Sequence, residues 1–197
     1  YDSYLPMVRR AGGVPRLVRL APPEWALPQA ALEAAFSDKT KLLVLNSPHN
    51  PAGKVFQPEE LAFIARLLKR FDAYAVCDEV YEHLVFDDRA HVPLMALPGM
   101  RDRTLRIGSA GKTFSATGWK VGYVTAAPPL LSAVAKAHQF VTFTTAPNLQ
   151  RAAAYGLGKD ASYFRNLAAT QQAKRDRLTA GLRAAGFEVL DSEGSYF

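Results

Sequence analysis

Lys41–Asn46 (KLLVLN), Pro58–Phe71 (PEELAFIARLLKRF) and Ala73–Cys77 (AYAVC) decide the fold. The first and third are short apolar runs of strand length. The second carries Leu61, Ile64, Ala65 and Leu68 at helical spacing. Pro58 and two glutamates stand at its front end, where helix starts favour them. Strand, helix, strand is therefore the expected order. Thr104–Gly108 and Val121–Thr125 read as two more strands. Ala161–Ala185 is long, charged and periodic, and Gly186 is placed to end it. Phe187–Leu190 then reads as another strand. Strands alternating with helices predict an α/β layered fold with a largely parallel sheet. In such sheets ligands bind beyond the carboxyl ends of the strands. Three polar clusters sit at those ends: Asn46–Gly53, Asp78–Tyr81 and Ser109–Lys112.

The 197 residues are 49% hydrophobic and 21% charged, a composition that builds a packed core and excludes disorder. No apolar run approaches the ~20 residues of a membrane span. The opening residues lack the basic start and apolar centre of a signal peptide. One cysteine, Cys77, excludes an internal disulfide and a multi-cysteine metal site, and a reducing, cytoplasmic setting is expected. Lysine and arginine outnumber the acids 24 to 18, giving a net charge of +6. The cations are scattered rather than blocked, which argues against nucleic-acid binding. The four histidines show no metal-ligand spacing. The chain starts at Tyr1 rather than Met and closes on Gly194–Phe197, the apparent start of a strand. The expectation is an excerpt of a longer polypeptide, or a chain without its flanks.

Gly108–Ser115 (GSAGKTFS) contains a Gly-Lys-Thr run. A Walker A loop needs glycine five positions before Gly111, and Arg106 stands there, so that reading is rejected. What remains is Lys112 among small residues just after a strand, either a solvated lysine or one able to form an imine with a carbonyl compound. Asp78 follows an apolar strand directly. A carboxylate so placed needs a partner, although a helix cap would satisfy it as well. Tyr81 is able to turn back toward the same point. In Asn46–Gly53 two prolines restrict the residues before them and Gly53 can take a positive φ. That loop is either a plain turn or a rigid presenter of Asn46 and Asn50. Lys120, eight residues after Lys112, is a surface lysine or a second cation for a shared anion. Together these groups suit a ligand with an aldehyde, an aromatic nitrogen, a phenolic oxygen and a phosphate. Pyridoxal phosphate has those four.

Three motifs carry a family resemblance: Asn46–Phe56 (NSPHNPAGKVF), Asp78–Phe86 (DEVYEHLVF) and Ser109–Gly122 (SAGKTFSATGWKVG). They resemble fold-type I, class I aminotransferases, and most of all the kynurenine/glutamine (cysteine-conjugate β-lyase) and methionine aminotransferase branch. The likeness runs in order from Tyr1 to Phe197. It implies a three-layer α/β/α large domain over residues 1–162, with a linking helix and the start of a smaller α+β domain over 163–197. It also implies that Lys112 forms the internal aldimine with pyridoxal 5′-phosphate and shuttles a proton. Asp78 would pair with the ring nitrogen, and Tyr81 and Asn50 would bond the phenolic oxygen. Ser109 and Lys120 would hold the phosphate, and Asn46 would face the substrate carboxylate. Many relatives have arginine where Lys120 stands. Tyr1 occupies the place of an aromatic that stacks on the ring, with core packing as its alternative.

The resemblance further implies amino acid and 2-oxo acid substrates and a homodimer whose partner completes the site. A glycine-containing phosphate loop before Tyr1 and a carboxylate-binding arginine after Phe197 belong to the family pattern. The excerpt alone is therefore expected to be inactive. A carbon–sulfur β-lyase on the same scaffold stands as the alternative enzyme. A non-catalytic effector-binding domain and a dimerisation piece stand as alternatives of other classes. Gln139–Asn148 (QFVTFTTAPN) reads either as core and subunit-interface packing or as an approach to the site.

Overall fold

The computed structural model describes all 197 residues. In chain order its elements are α1 Tyr4–Arg10, α2 Gln29–Ala35, β1 Leu42–Asn46, α3 Pro58–Arg70, β2 Tyr74–Asp78 and β3 Thr104–Ser109. There follow α4 Ala110–Thr113, β4 Gly122–Thr125, α5 Pro128–Val141, α6 Pro147–Leu157 and α7 Ala161–Ala184. The sheet has four strands in the order β1-β2-β3-β4. The first three run parallel and β4 is antiparallel to β3. This is the expected α/β class with a mainly parallel sheet, and the boundaries of these four strands differ from the expected ones by a residue at most.

Helix α3 forms because its apolar residues recur on one face, and burying that face drives it onto the sheet. Leu61, Ile64, Ala65, Leu67 and Leu68 are buried along it. They cluster with Leu45 of β1, Ala75 and Cys77 of β2, and Phe56, Leu94 and Met100 from the connections. Each large side chain removed from water here contributes about 1.5–3 kcal/mol. At the front of α3 the Gln57 amide donates to Glu60 Oε2 at 2.9 Å, so the first turn is held by its own acid. Glu60 also pairs with Lys54 at 2.9 Å, a largely buried contact.

Helix α7 ends as the sequence predicts. Gly186 takes φ +89°, its amide bonds the Arg183 carbonyl, and the Phe187 amide bonds Leu182. That pair of bonds is a Schellman closure. Two expectations for the residues beyond it fail. Phe187–Leu190 is not a strand: the segment is irregular and Phe187 is exposed. A strand needs a neighbour to accept its ladder, and none runs beside these residues. Gly194–Phe197 does not open a strand either. Gly194 forms one isolated antiparallel bridge, with Val85. The tail instead docks on the loops that follow β1 and β2. Glu193 N donates to Gly53 O, Phe86 N to Glu193 O and Ser195 N to Leu84 O, each at 2.9 Å. Gly53 takes φ +68°, and a Cβ there would come within 2.3 Å of Ser192 Oγ, so both conformation and space demand glycine.

Candidate active site

Parallel pairing aligns the ends of three strands. Asn46 sits opposite Asp78, and Asp78 opposite Ile107, two residues short of Ser109. The polar loops after β1, β2 and β3 therefore share one edge of the sheet.

Asp78 ends β2 and its carboxylate faces two donors. The Tyr4 hydroxyl donates to Oδ2 at 2.5 Å and the Val80 amide to Oδ1 at 3.4 Å. Burial, and then the bond to Asp78, hold the Tyr4 phenol far above the ordinary phenol range. Tyr4 is therefore a donor throughout the accessible pH range. Tyr1 packs edge-on against Tyr4, with ring centroids 5.5 Å apart.

Tyr81 is buried on the loop after β2. Burial raises its pKa, the Asn50 side chain approaching its hydroxyl lowers it, and the Asp78 charge raises it again. The Lys112 Nζ lies 5.9 Å from the centre of the same ring. One phenol thus stands among an amine, a carboxylate and an amide.

Lys112 rides on α4, a single turn capped by Ser109, whose Oγ accepts the Lys112 amide at 3.3 Å. That bond uses one of the hydroxyl's two acceptor sites and leaves its proton free. Asn46 is buried and stitches the site's loops together. Its Nδ2 donates to the Asp78 carbonyl at 2.9 Å and its Oδ1 accepts the Asn50 amide at 2.7 Å. Lys120 is exposed, in the left-handed region at φ 55°. It lies two residues before Gly122, the strand partner of Ser109.

Sequence reasoning passed over several residues. Tyr4 stands three positions after Tyr1 at the start of a short helix, a spacing that signals a shared face. Tyr196 and Phe197 place their rings edge-on to Tyr81, at 5.9 and 6.2 Å. Behind the site Glu79 is buried and accepts Arg106 Nε at 2.6 Å and His91 Nε2 at 2.9 Å. Arg106 also pairs with Glu82, which accepts the Tyr123 hydroxyl at 2.9 Å. An apolar cavity of about 490 Å³ borders the back of α4, lined in part by Phe114, Trp119, Leu149 and Tyr163. Asp78, Tyr81 and Lys112 do not line it, so it is separate from this cluster.

The donor set fits one kind of small ligand. An amine, a carboxylate, a phenol, an amide and a hydroxyl converge, with a second ammonium near the same strand end. These groups match an aldehyde, a protonated ring nitrogen, a phenolate oxygen and a phosphate.

Comparison with known proteins gives the family. The chain belongs to the family of class I and II aminotransferases, whose description matches residues 1–197. It is 40% identical to kynurenine–oxoglutarate transaminase 1 of Rattus norvegicus, covering all of this chain and 51% of the rat protein. It is 42% identical to a probable N-succinyldiaminopimelate aminotransferase of Mycobacterium tuberculosis, covering all of this chain and 50% of that protein. The solved N-succinyldiaminopimelate aminotransferase of Mycobacterium tuberculosis superposes with a TM-score of 0.96 at 41% identity, over all of this chain and 52% of its own. YbdL of Escherichia coli, described as having a methionine aminotransferase function, gives 0.95 at 35%, over all of this chain and 52% of its own. The chain spans about half the length of the relatives it matches.

Proposed function

We propose that the protein carrying this chain is a pyridoxal-phosphate aminotransferase, moving an amino group between an amino acid and a 2-oxo acid. The observation that carries this is the shared environment of Tyr81, with Lys112 Nζ 5.9 Å from its ring and Asp78 and Asn50 acting on the same phenol. When bound, pyridoxal phosphate supplies an aldehyde to hold the substrate nitrogen and a ring to take up electrons from Cα. The chain's own residues do the rest. Lys112 anchors the cofactor and its amine carries the proton to and from the substrate Cα. Asp78, oriented by Tyr4, keeps the ring nitrogen protonated. Tyr81 and Asn50 bond the phenolic oxygen, and Ser109 and Lys120 hold the phosphate. A single ammonium at position 120 gives charge without a bidentate fork.

Asn46 reaches the substrate carboxylate with the second N–H of its amide, the first being used on Asp78. Tyr1, packed against Tyr4, covers the ring. The protein works as a homodimer. The exposed Phe140, Val141 and Phe143 at the end of α5 support this, as an apolar surface that a second subunit would cover. A lone buried cysteine suits a cytoplasmic setting.

The test is Lys112→Ala in the whole protein. The wild type should bind pyridoxal phosphate with a visible band that borohydride bleaches. The variant should lack that band and lose at least ~10²-fold in transamination, the scale of one missing general base. A band that persists in the variant overturns the assignment of Lys112. Pyruvate and ammonia released from a cysteine conjugate, with no 2-oxo acid present, would reassign the reaction to elimination.

A further inference from the structure

Lys112 is the group whose position matters most to the proposed reaction, yet its own turn holds it incompletely. Helix α4 has only four residues. In a continuing helix the Ala116 amide would turn to the Lys112 carbonyl, four residues back. It bonds the Gly111 carbonyl instead, at 2.9 Å. The chain then bends away through Ser115, at φ 53°. The Lys112 carbonyl is taken up from a distance. The Tyr196 hydroxyl, 84 positions along the chain, donates to it at 2.7 Å.

Tyr196 is itself firmly placed. Residues 193–195 are stitched by main-chain bonds to Gly53, Leu84 and Phe86. Glu193 Oε2 also accepts the Val55 amide at 2.8 Å, and Arg89 pairs with Oε1 at 3.1 Å. Gly194 lies so close to Leu84 O that a Cβ would come within 2.6 Å of it. The Tyr196 ring then abuts Tyr81 at 85°. One short strap thus touches the loops after β1, β2 and β3. Burial pushes the Tyr196 phenol up, so it keeps its proton, and its role as donor, at neutral pH.

We propose that Tyr196 is a positioning residue for Lys112, fixing the lysine through its main-chain carbonyl and tying that turn to the strap that docks on the other two loops. This rests on the aminotransferase reading only for its consequence in turnover. The bond itself exists without the cofactor.

Tyr196→Phe keeps the ring against Tyr81 and removes the hydroxyl, with its bond to the Lys112 carbonyl and its contact with the Ser115 side chain in the same turn. A neutral hydrogen bond of about 1 kcal/mol corresponds to roughly a five-fold effect. In the whole protein without cofactor, amide exchange across residues 110–116 should quicken about five-fold, while exchange in α3 stays unchanged. With pyridoxal phosphate, kcat should fall about five-fold at an unchanged amino acid KM, because the bond orients the amine rather than binding substrate. Exchange and kcat both equal to wild type overturn the proposal. Exchange that quickens in α3 as much as in residues 110–116 also overturns it, since Tyr196 would then support only global stability. If the wild type binds no pyridoxal phosphate, the aminotransferase reading fails. The exchange comparison still decides whether Tyr196 holds the turn.

Discussion

Asp78 shows how much of a site a single residue type can announce and how much it hides. A carboxylate placed directly after an apolar strand must find partners, and that reasoning alone singles out Asp78. Lys112 is legible for a similar reason, as a long cation on a turn of small residues. The partner of Asp78 was not legible. Tyr4 lies 74 positions away, and only the folded chain brings its hydroxyl to 2.5 Å from Oδ2. Asn46 was legible as a fixed polar group, while its double engagement with the Asp78 and Asn50 backbones depends on strand register. The Tyr4 contact carries a prediction. Tyr4→Phe keeps the ring beside Tyr1 and deprives Asp78 of a charge-assisted bond, the kind worth ~1.5–3 kcal/mol. Affinity for pyridoxal phosphate should fall by at least about ten-fold in a fluorescence titration, with the folded protein otherwise intact. An affinity equal to wild type would mean that Tyr4 fills space and does not orient the carboxylate.

At the scale of elements, periodicity was a sound guide wherever an element buries its own apolar face. The helical spacing in α3 reports such burial directly, and the apolar runs of β1 and β2 supply Leu45, Ala75 and Cys77 to the same core. It failed at Phe187–Leu190, where an apolar run had no ladder to join. Helix α7 is an intermediate case: its ends were readable, but its attachment was not. Its first turn docks through Phe164, whose ring stacks on His83 at 4.2 Å and 26°. Burial lowers the His83 pKa below its usual 6.5, and the nearby His91 lowers it further. His49 is lowered as well, mainly by burial. Folding therefore favours the neutral rings. In the unfolded chain they take up protons near pH ~6.5, and the folded chain resists. Their contribution is full above that pH and is lost as pH falls toward the lower, folded values. The thermal midpoint should drop between pH 7 and 5. His83→Phe, which keeps a ring for Phe164, should shrink that drop, leaving the part due to His49. A pH dependence unchanged by the substitution would refute the role of His83.

Across the whole molecule, separate strands and loops are joined by a buried charge cluster that no local pattern foretells. Just after Asp78, Glu79 meets Arg106 of β3 and His91 of the next long connection. Arg106 then reaches Glu82, and Glu82 is held by Tyr123 of β4. The ring of Tyr123 lies where a Cβ on Gly108 would sit, 2.2 Å from it, so β3 gives up a side chain there to let the bridge pass. Each member looks ordinary in the sequence, because what joins them is the register Cys77↔Arg106 and Gly108↔Tyr123. Glu79 lies within the segment from Asp78 to Tyr81 and Glu82 follows it directly, so the cluster and the candidate site share one loop. Arg106→Met keeps most of the stem and removes the one guanidinium between two largely buried carboxylates. Breaking such a pair from one side costs ~3–5 kcal/mol, because the buried acids are left with only the His91 ring and the Tyr123 hydroxyl as partners. For a chain of this size that corresponds to a fall of about 10 °C in thermal midpoint. The double variant Arg106→Met, Glu79→Gln should recover part of it at neutral pH. A single variant no less stable than wild type at pH 7, or a double variant that recovers nothing, would show that the cluster does not bear on the fold in this way.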